Sequence, residues 1–327
     1  MVTLSQIKSP IEESLNEFDS FVAEQFRSDN SLMSEMIVDA LSSRGKGVRP
    51  IIAMLVAAMT SQSGVVTKRV HIVSMMVEMI HLASLIHDDV IDEASTRRGR
   101  PSLNAKWQSK RAVIAGDYIL ARNLAIGVSS GQYDLVSHVI GSIATLCEGE
   151  VIQDDCARRL TTTRQEYLDI ISKKTAALIA TAASGGAKAT GAQREVVEQM
   201  RQFGYYVGMA FQIQDDILDY TPTAKTGKPS FQDMVEGKIT LPLLMPLEES
   251  SAEQREEVLS HVRQAHLEPQ SVEWIARWVE QREGVAMATQ VMQAYIERAT
   301  SILAQFPQSP YRTSLVDLCA YITQRDR

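Results

Sequence analysis

The sequence predicts an all-α fold, one helical domain that spans residues 1–327. Proline is absent between Pro50 and Pro101 and again until Pro222, and because proline breaks helix interiors, its absence permits long helices there. Apolar residues in the segment 70–86 recur at three- and four-residue spacing, which is the period of a helix face. We find no alternating run flanked by an Asn-Gly or Asp-Gly turn, the pattern typical of a β-hairpin.

The individual elements can be predicted in order along the chain. Ser9-Pro-Ile-Glu12 predicts a helix start by a capping box with proline at the first helical position. The segment 70–86 is apolar nearly all round, as expected of a helix buried in a large core. Residues 220–242 are rich in Pro, Gly, Thr and Lys and predict a long loop of the functional or disordered kind. Ser251-Ala-Glu-Gln254 predicts a second capping box.

The composition excludes several classes of protein. A net charge of −7 argues against a nucleic-acid binder, so local Lys and Arg or metal ions must hold any anionic ligand. Three cysteines without a CxxC pair predict neither a disulfide framework nor a zinc ribbon and fit a reducing cytoplasm. The N-terminus lacks a signal-peptide pattern, and the apolar run 51–59 is shorter than the roughly 20 residues of a transmembrane span. We therefore expect a cytoplasmic protein without a transmembrane segment.

Two acidic clusters share one spacing. LIHDDVIDEASTRRGRP (85–101) and FQIQDDILDY (211–220) both contain Asp-Asp-x-x-Asp after an apolar run. The first and last aspartates of each cluster share a helix face, where like charges destabilise a helix unless something neutralises them. Mg²⁺ does so with one or two carboxylates, waters and substrate phosphates. The candidate metal ligands are Asp88, Asp89, Asp92, Asp215, Asp216 and Asp219.

The alternative interpretation is that each cluster is a solvated helix end, which is a fair explanation of one such motif alone. The acidic pair in QDD (153–155) has no such context, and there we favour a solvated surface. Two complete copies with basic residues nearby favour a metal-and-phosphate site, although any single cation is better explained as surface charge. The candidate phosphate-binding cations are Lys46, Arg49, Arg97, Arg98, Lys174, Lys228 and Lys238.

Six segments resemble, in order, the trans-isoprenyl diphosphate synthases of the polyprenyl synthetase family. They are GKGVRP (45–50), HLASLIHDDVIDEASTRRGRP (81–101), GDYILAR (116–122), KKTAALI (173–179), FQIQDDILD (211–219) and GKPSFQDMVEGKITLP (227–242). The paired aspartate motifs with their flanks are highly specific, and the resemblance covers about residues 45–245. One departure is Gly47, where the family commonly has arginine.

The resemblance implies an isoprenoid synthase fold, an all-α bundle around a central cavity, usually in a homodimer. It implies that aspartates such as Asp88, Asp92 and Asp215 bind several Mg²⁺ ions. The matching substrate-binding residues are Arg97, Lys174 and Lys238 for an allylic diphosphate, and Lys46, Arg49, His81 and Arg98 for isopentenyl diphosphate, with Lys228 in the long loop. Thr175 and Gln212 match positions whose oxygens stabilise a carbocation. Lys174, Thr175, Gln212 and Lys238 are thus the expected catalytic residues.

The implied reaction is the head-to-tail condensation of isopentenyl diphosphate onto an allylic primer. An electrostatic clamp of Mg²⁺ and fixed cations stabilises the departing diphosphate, and the isopentenyl double bond attacks the allylic cation. In the family the final proton is lost to the departing diphosphate, so no Ser/His/Asp triad or protein base is needed. We interpret His87 as a satisfied core histidine.

The residues before the first cluster predict a long product. Ala83 and Ser84, about one turn before Asp88, are small where members of the family that stop early often carry a bulky aromatic. The next turn, roughly 5.4 Å further, carries Met79 and Ile80 as floor or wall of the product tunnel. We expect an octaprenyl or longer product from a farnesyl or geranylgeranyl primer, with transient membrane contact during its release.

Three alternatives remain open. A geranylgeranyl diphosphate synthase would perform the same chemistry and stop earlier. A non-catalytic partner subunit usually lacks some aspartates or basic residues, and both clusters are complete here. A class I terpene cyclase normally replaces the second cluster with an Asn/Ser/Glu-type motif and has no need of isopentenyl-binding cations.

Overall fold

The computed structural model describes residues 2–61, 64–220, 231–265 and 268–324, which are almost wholly α-helical. The helices are α1 Leu4–Lys8, α2 Glu12–Gln25, α3 Ser31–Ser42, α4 Val48–Thr60, α5 Lys68–Ile91, α6 Leu103–Trp107, α7 Ser109–Ser129, α8 Tyr133–Arg159 and α9 Arg164–Ile171. They continue with α10 Ala177–Ala189, α11 Arg194–Asp219, α12 Gln232–Val235, α13 Leu241–Glu248, α14 Ala252–Gln264, α15 Pro269–Gln281, α16 Gly284–Leu303 and α17 Pro310–Gln324. The predicted all-α class is confirmed.

Short elements interrupt this pattern. A 3₁₀ turn covers Ser9–Ile11 and a π-helical turn covers Ser172–Ala176. Strands β1 Thr96–Arg97 and β2 Arg100–Pro101 form a small antiparallel pair directly after the first acidic cluster. This pair is not foreseen by the sequence, because each strand has only two residues.

One of the two predicted capping boxes is confirmed. Ser251 caps α14, and the side chain of Gln254 reciprocates. The prediction at Ser9 is wrong, because the first helix already begins at Leu4 behind a capping box made by Thr3. Ser9 has φ −47° and ψ −45°, so its backbone continues a helix, whereas a capping residue needs an extended backbone.

Helix α5 runs through the centre of the protein. Every residue from Val70 to Ile80 is buried, and the helix packs against α4, α7 and α10. With 24 residues it is about 36 Å long. Its last turn emerges from the core and carries the first acidic cluster, as the apolar pattern of 70–86 predicts.

Helix α11 brings the second acidic cluster to the same part of the molecule. It packs between α10 and α16, and buried residues line its length from Met200 to Ile217. Its last turn carries Asp215, Asp216 and Asp219. Both clusters therefore end a long helix whose other turns are anchored in the core.

The segment 220–242 is only partly a loop. Residues 221–230, and with them Lys228, lie outside the described residues. After them, Phe231 leads into the short helix α12, and α13 begins at Leu241. The Asp219 carboxylate accepts hydrogen bonds from the backbone amides of Gln232 at 3.0 Å and Asp233 at 3.2 Å, so the second cluster itself organises this turn of helix.

Three helices, α5, α7 and α8, are long and apolar enough to cross a membrane on length and composition alone. The search for an uninterrupted apolar run of about 20 residues passes over these helices, because isolated charged residues shorten the apolar runs without making the helices polar. The most apolar window of α5 is 78% buried within the protein, but those of α7 and α8 are only 39% and 28% buried. Helix α5 is thus a core helix, whereas α7 and α8 present apolar side chains outward.

Candidate active site

The first acidic cluster places its three carboxylates in different surroundings. Asp92 ends α5 and is exposed, Asp88 is half-buried, and Asp89 is buried. Burial, together with the charge of Glu150, raises the pKa of Asp88 to about 6, and Lys174 acts in the opposite direction. Asp88 is thus a carboxylate held in a poorly solvated, negative environment, which a cation would relieve.

Asp89 is neutralised by the chain itself. Its two oxygens accept hydrogen bonds from Nε of Arg97 at 2.8 and 2.9 Å, and Nη2 of Arg97 lies 2.7 Å from Oδ1. Asn104 donates to the Asp89 carbonyl at 3.3 Å. This fork of hydrogen bonds fixes Arg97, which lies in strand β1, against the end of α5.

The second cluster is divided in the same way. Asp216 is buried, and it accepts hydrogen bonds from the Tyr167 hydroxyl at 2.5 Å and from Nε2 of Gln212 at 2.9 Å. Burial and the charge of Asp233 raise the pKa of Asp216, while these two hydrogen bonds oppose the rise. Asp215 is close enough to Arg49 for its charge to affect the pKa of the guanidinium.

A π-helical turn presents Lys174 and Thr175 to the site. Two glycines allow the neighbouring helices to approach it: a Cβ on Gly149 of α8 would lie 2.8 Å from the Lys174 backbone nitrogen, and one on Gly208 of α11 would lie 2.5 Å from Cα of Ala176. Real side chains do not tolerate such contacts. The turn is therefore clamped from both sides, and π turns of this kind often occur at functional sites.

Both lysines expected at the allylic diphosphate are paired with glutamates. Nζ of Lys174 lies 2.7 Å from Glu150, and Nζ of Lys238 lies 2.5 Å from Glu236. Burial lowers the pKa of Lys238, but the hydrogen bond and charge of Glu236, with the charges of Asp92 and Asp233, outweigh burial and leave it raised. Since Asp92 belongs to the first cluster and Asp233 lies beside the second, Lys238 connects the two clusters electrostatically.

The predicted isopentenyl-binding residues surround the loop before α4. Nζ of Lys46 donates to the Tyr321 hydroxyl at 2.9 Å, and Nη1 of Arg98 donates to the Ser43 carbonyl at 2.8 Å. Burial lowers the pKa of Arg49 to about 10, and among the described residues its buried Nε has no hydrogen-bond partner. Burial and the arginines beside it lower the pKa of His81 well below its ordinary value, so its imidazole is neutral near pH 7.

Gly47 explains the departure from the family pattern in this loop. It caps α4 with φ 65° and ψ 37°, a left-handed conformation that glycine adopts without strain. Lys46 and Arg49 are still held on either side of it. The assignment of both to the loop therefore does not depend on an arginine at position 47.

Several polar residues of the site were missed by the sequence analysis. Glu78 is 5% exposed inside the core helix α5, and the charges of Arg49, Arg44 and Arg98 act on its pKa against the effect of its burial. Glu150 and Tyr167 were missed as well. Glu78 could have been found, because a carboxylate in the middle of an apolar run needs a partner, but the partners of Glu150 and Tyr167 come from distant segments.

The chain-length candidates lie at different angles around α5. Ser84 is half-buried and lies on the same face as His81 and Asp88, whereas Ala83 and Ile80 are buried. At about 100° per residue, Met79 lies half a turn away from Asp88 and is fully buried. Of these candidates, Ser84 is the one that shares the Asp88 face.

His87 and the acidic pair at 154 and 155 have ordinary partners. Nε2 of His87 lies 3.3 Å from the Val113 carbonyl and from Asp117. Asp154 and Asp155 pair with Arg158 and Arg159 one turn later on an exposed face of α8, which confirms the predicted solvated surface.

A cavity of about 130 Å³ lies between the π turn and α11. Its lining includes Tyr167, Lys174, Thr175, Gln212, Asp216 and Lys238. No three His, Cys, Asp or Glu side chains in the described part of the chain converge closely enough to hold a metal ion by themselves. A few separate carboxylates fit Mg²⁺, which takes most of its ligands from water and substrate phosphate.

The chain matches the family model described as polyprenyl synthetase over residues 30–279. It is 35% identical to heptaprenyl diphosphate synthase component 2 of Bacillus subtilis, over 91% of this chain and 84% of that protein. It is 33% identical to an all-trans-nonaprenyl-diphosphate synthase (geranyl-diphosphate specific) of Rhodobacter capsulatus, over 95% of each chain.

Solved structures agree over nearly the whole length. A decaprenyl diphosphate synthase from Rhodobacter capsulatus superposes with a TM-score of 0.92 at 29% identity, over 99% of this chain and 100% of that one. A polyprenyl synthase from Caulobacter crescentus CB15, complexed with calcium and isoprenyl diphosphate, gives 0.91 at 26% identity over 99% and 98%.

Proposed function

Because the chain belongs to the polyprenyl synthetase family and is a trans-prenyl diphosphate synthase, we propose that it makes a long all-trans polyprenyl diphosphate. It would add isopentenyl diphosphate units head to tail to an allylic primer such as farnesyl or geranylgeranyl diphosphate. The observation that carries the proposal is the arrangement of two acidic helix ends around Lys174, Lys238, Thr175 and Gln212.

Asp88, Asp92 and Asp215 are the proposed Mg²⁺ ligands, with Asp219 beside them. When bound, Mg²⁺ neutralises the charge that develops on the departing diphosphate. The raised pKa of Asp88 supports its place in this set, since its burial is favourable only with a cation nearby. Asp89 and Asp216 belong to the predicted set too, but their oxygens already accept hydrogen bonds from Arg97, and from Tyr167 and Gln212.

Lys174, Lys238 and Arg97 would hold the allylic diphosphate. Each carries a fixed positive charge near the carboxylates, and the lysines exchange a glutamate for a phosphate oxygen when substrate binds. Arg97 keeps its orientation because Asp89 holds one edge of the guanidinium. Lys228 stays a predicted substrate-binding residue.

Isopentenyl diphosphate would bind at Lys46, Arg49, His81 and Arg98. Nε of Arg49, which finds no hydrogen-bond partner in the part of the chain that the structure describes, supports this, because a buried donor without an acceptor favours an anionic ligand. A neutral His81 donates one hydrogen bond without adding charge. Thr175 and Gln212 would contribute oxygen lone pairs that stabilise the allylic cation, and their side chains are joined by a hydrogen bond of 2.7 Å from the Thr175 hydroxyl to Oε1 of Gln212.

The small side chain at Ser84 supports the long product, as do relatives named for heptaprenyl and nonaprenyl products. The test is a product assay with purified protein, isopentenyl diphosphate, farnesyl diphosphate and Mg²⁺, read by mass after removal of the diphosphate. We expect a product beyond geranylgeranyl length, and shorter products from Ser84→Phe and Ala83→Phe. Unchanged length in both variants would contradict the tunnel assignment, and a wild-type product that stops at geranylgeranyl length would favour the short-chain alternative.

We also propose a homodimer in the cytoplasm. One stripe of α8, at three- and four-residue spacing, is exposed along its whole length: Tyr133, Ser137, Ile140, Ala144, Cys147 and Val151. Ile114 and Val128 of α7 are also exposed. An apolar face of this extent is typical of an interface, and a second copy is the proposed occupant.

A second candidate follows from the relative named component 2. The chain would then be the catalytic component of a two-component synthase. Activity of the purified chain alone would exclude this candidate. Product formed only after a second component is added would favour it.

A further inference from the structure

Resting on the function proposed above, we propose that Tyr167 and Asp216 are positioning residues for the condensation. They fix the orientation of the Gln212 amide and, through it, of the Thr175 hydroxyl. Neither needs to touch substrate or metal for this role. Asp216 thereby takes a different task from Asp215, its neighbour in the second cluster.

The geometry is a continuous chain of hydrogen bonds. The Tyr167 hydroxyl donates to Oδ2 of Asp216 at 2.5 Å, and Nε2 of Gln212 donates to Oδ1 at 2.9 Å. The Thr175 hydroxyl donates to Oε1 of Gln212 at 2.7 Å. Three elements, α9, the π turn and α11, are joined in this way at the wall of the cavity.

Each hydrogen bond in this series can form in only one direction while Asp216 is ionised. A carboxylate only accepts, so Asp216 draws both the tyrosine O–H and the amide N–H toward itself. The Gln212 amide oxygen must then point to Thr175 and engages the single hydroxyl proton there. The Thr175 oxygen is left with lone pairs directed away from Gln212, and these favour a developing positive charge.

Loss of these hydrogen bonds would reverse the effect of Thr175 on a developing positive charge. If the Gln212 amide turned over, its N–H would face Thr175, and the threonine proton would be free to point toward the reacting carbon. A hydrogen-bond donor in that position opposes a carbocation. Burial strengthens the effect, since Tyr167 is 3%, Asp216 3% and Thr175 7% exposed, and water cannot substitute for a lost partner.

The central test is Tyr167→Phe, which removes one hydroxyl and keeps the ring. We expect kcat to fall roughly tenfold, as for a lost hydrogen bond to a buried charge. The KM values for farnesyl and isopentenyl diphosphate and the half-saturating Mg²⁺ concentration should stay near those of the wild type. Tyr295→Phe, which removes a phenol hydroxyl from a partly buried tyrosine of the same core region, is the matched control and should keep the wild-type kcat.

Asp216→Asn tests the same series of hydrogen bonds independently of the Tyr167 variant. An asparagine oxygen can still accept from Gln212, and its amide can donate to the Tyr167 oxygen, so a loss of kcat smaller than that of Asp216→Leu is expected. The half-saturating Mg²⁺ concentration should be unchanged in Asp216→Asn and raised in Asp215→Asn. An equal rise in both variants would make Asp216 a metal ligand and overturn the proposal.

A double-mutant cycle gives the most direct measurement. Tyr167→Phe should cost about tenfold in the wild-type background and little in Gln212→Ala, because the tyrosine acts through the glutamine. Equal losses in both backgrounds, or a Tyr167→Phe enzyme with wild-type kcat, would overturn the positioning role while the synthase remains active. Absence of any product from the wild-type chain would instead contradict the proposed function on which this role rests.

Discussion

At the scale of single residues, the two lysines proposed to bind the allylic diphosphate, Lys174 and Lys238, both lie in ion pairs. Glu150 pairs with Lys174, and the side chains are 25% and 28% exposed. If Lys174 binds the allylic diphosphate as proposed, the diphosphate has to displace this glutamate first. Glu150 would therefore weaken the binding of the allylic diphosphate, while it holds the Lys174 side chain in place in the ligand-free protein.

Glu150→Gln should lower the KM for the allylic diphosphate about twofold, since a partly exposed ion pair contributes about 0.5 kcal/mol. The measurement is initial velocity against primer concentration at saturating isopentenyl diphosphate. Glu148→Gln is the matched control, because Glu148 pairs with Lys173, which has no proposed substrate role. A lower KM in both variants would show that removing any negative charge from α8 favours binding of the diphosphate, whichever lysine the glutamate pairs with.

The raised pKa of Asp88 predicts how Mg²⁺ binding depends on pH. Only the ionised carboxylate binds the metal, so affinity is full above the pKa of about 6 and declines as the pH falls through it. We expect the half-saturating Mg²⁺ concentration to rise about tenfold for each pH unit below 6. Asp88→Asn should weaken Mg²⁺ binding and remove the rise of the half-saturating Mg²⁺ concentration below pH 6. A rise that persists in this variant would be due to the titration of another group.

The sequence could identify both acidic clusters but not the task of each carboxylate. Spacing puts Asp88 with Asp92, and Asp215 with Asp219, on shared faces, so the local pattern is enough to predict a metal site. Asp216 accepts from Gln212 one turn earlier on the same helix, but its other partner, Tyr167, comes from α9, far from Asp216 in the chain. Contacts of that kind are decided by tertiary packing, and no local period encodes them.

At the scale of elements, the π turn depends on glycines in two other helices. Gly208→Ala would place a methyl group 2.5 Å from Cα of Ala176, and a backbone contact cannot yield as a flexible side chain can. We expect a loss of about 1–3 kcal/mol in the free energy of unfolding and a lower kcat. Denaturant unfolding and steady-state kinetics measure the two effects. Gly141→Ala, at an open position of α8, is the control: it should keep the wild-type kcat and raise the free energy of unfolding by up to about 1 kcal/mol, because alanine favours a helix over glycine.

Long helices were predictable where their apolar pattern is dense, and short elements were not. Segment 70–86 predicts α5 because burial on all sides leaves no other explanation for so many apolar residues. The start at Ser9 failed because Thr3 offers a capping box of its own six residues earlier. Helix α12 has only four residues and forms inside a predicted loop because the Asp219 carboxylate caps it. The residues of α12 alone do not indicate this contact, because Asp219 lies outside the helix.

At the scale of the whole molecule, the exposed side chains of the α8 stripe, with Ile114 and Val128 of α7, form the face at which we propose that a second copy binds. Ile140→Glu places a charge in the middle of the α8 stripe and should convert a dimer into a monomer. Light scattering after size-exclusion chromatography measures the mass. Val38→Glu, at an apolar residue 63% exposed on α3, should leave the mass unchanged.

Thiol labelling gives an independent measure of the same face. Cys147 is exposed on the α8 stripe, so a maleimide should label it faster in Ile140→Glu than in the wild-type dimer. Cys319 is the internal control, because it is 1% exposed and burial raises its pKa to about 12. A wild-type protein labelled as fast as the variant would contradict the dimer and leave a lipid surface as the better occupant of the face.

The π turn also limits how the gene for this protein can vary. Such a turn is an α-helix with one added residue, so loss of one codon within 172–176 could restore an unbroken helix. Everything before the turn would then rotate by about 100° relative to Thr175, and Tyr167 would swing out of reach of Asp216. A change in the length of this segment by one residue is therefore expected to abolish the active arrangement even where Lys174 and Thr175 are both kept.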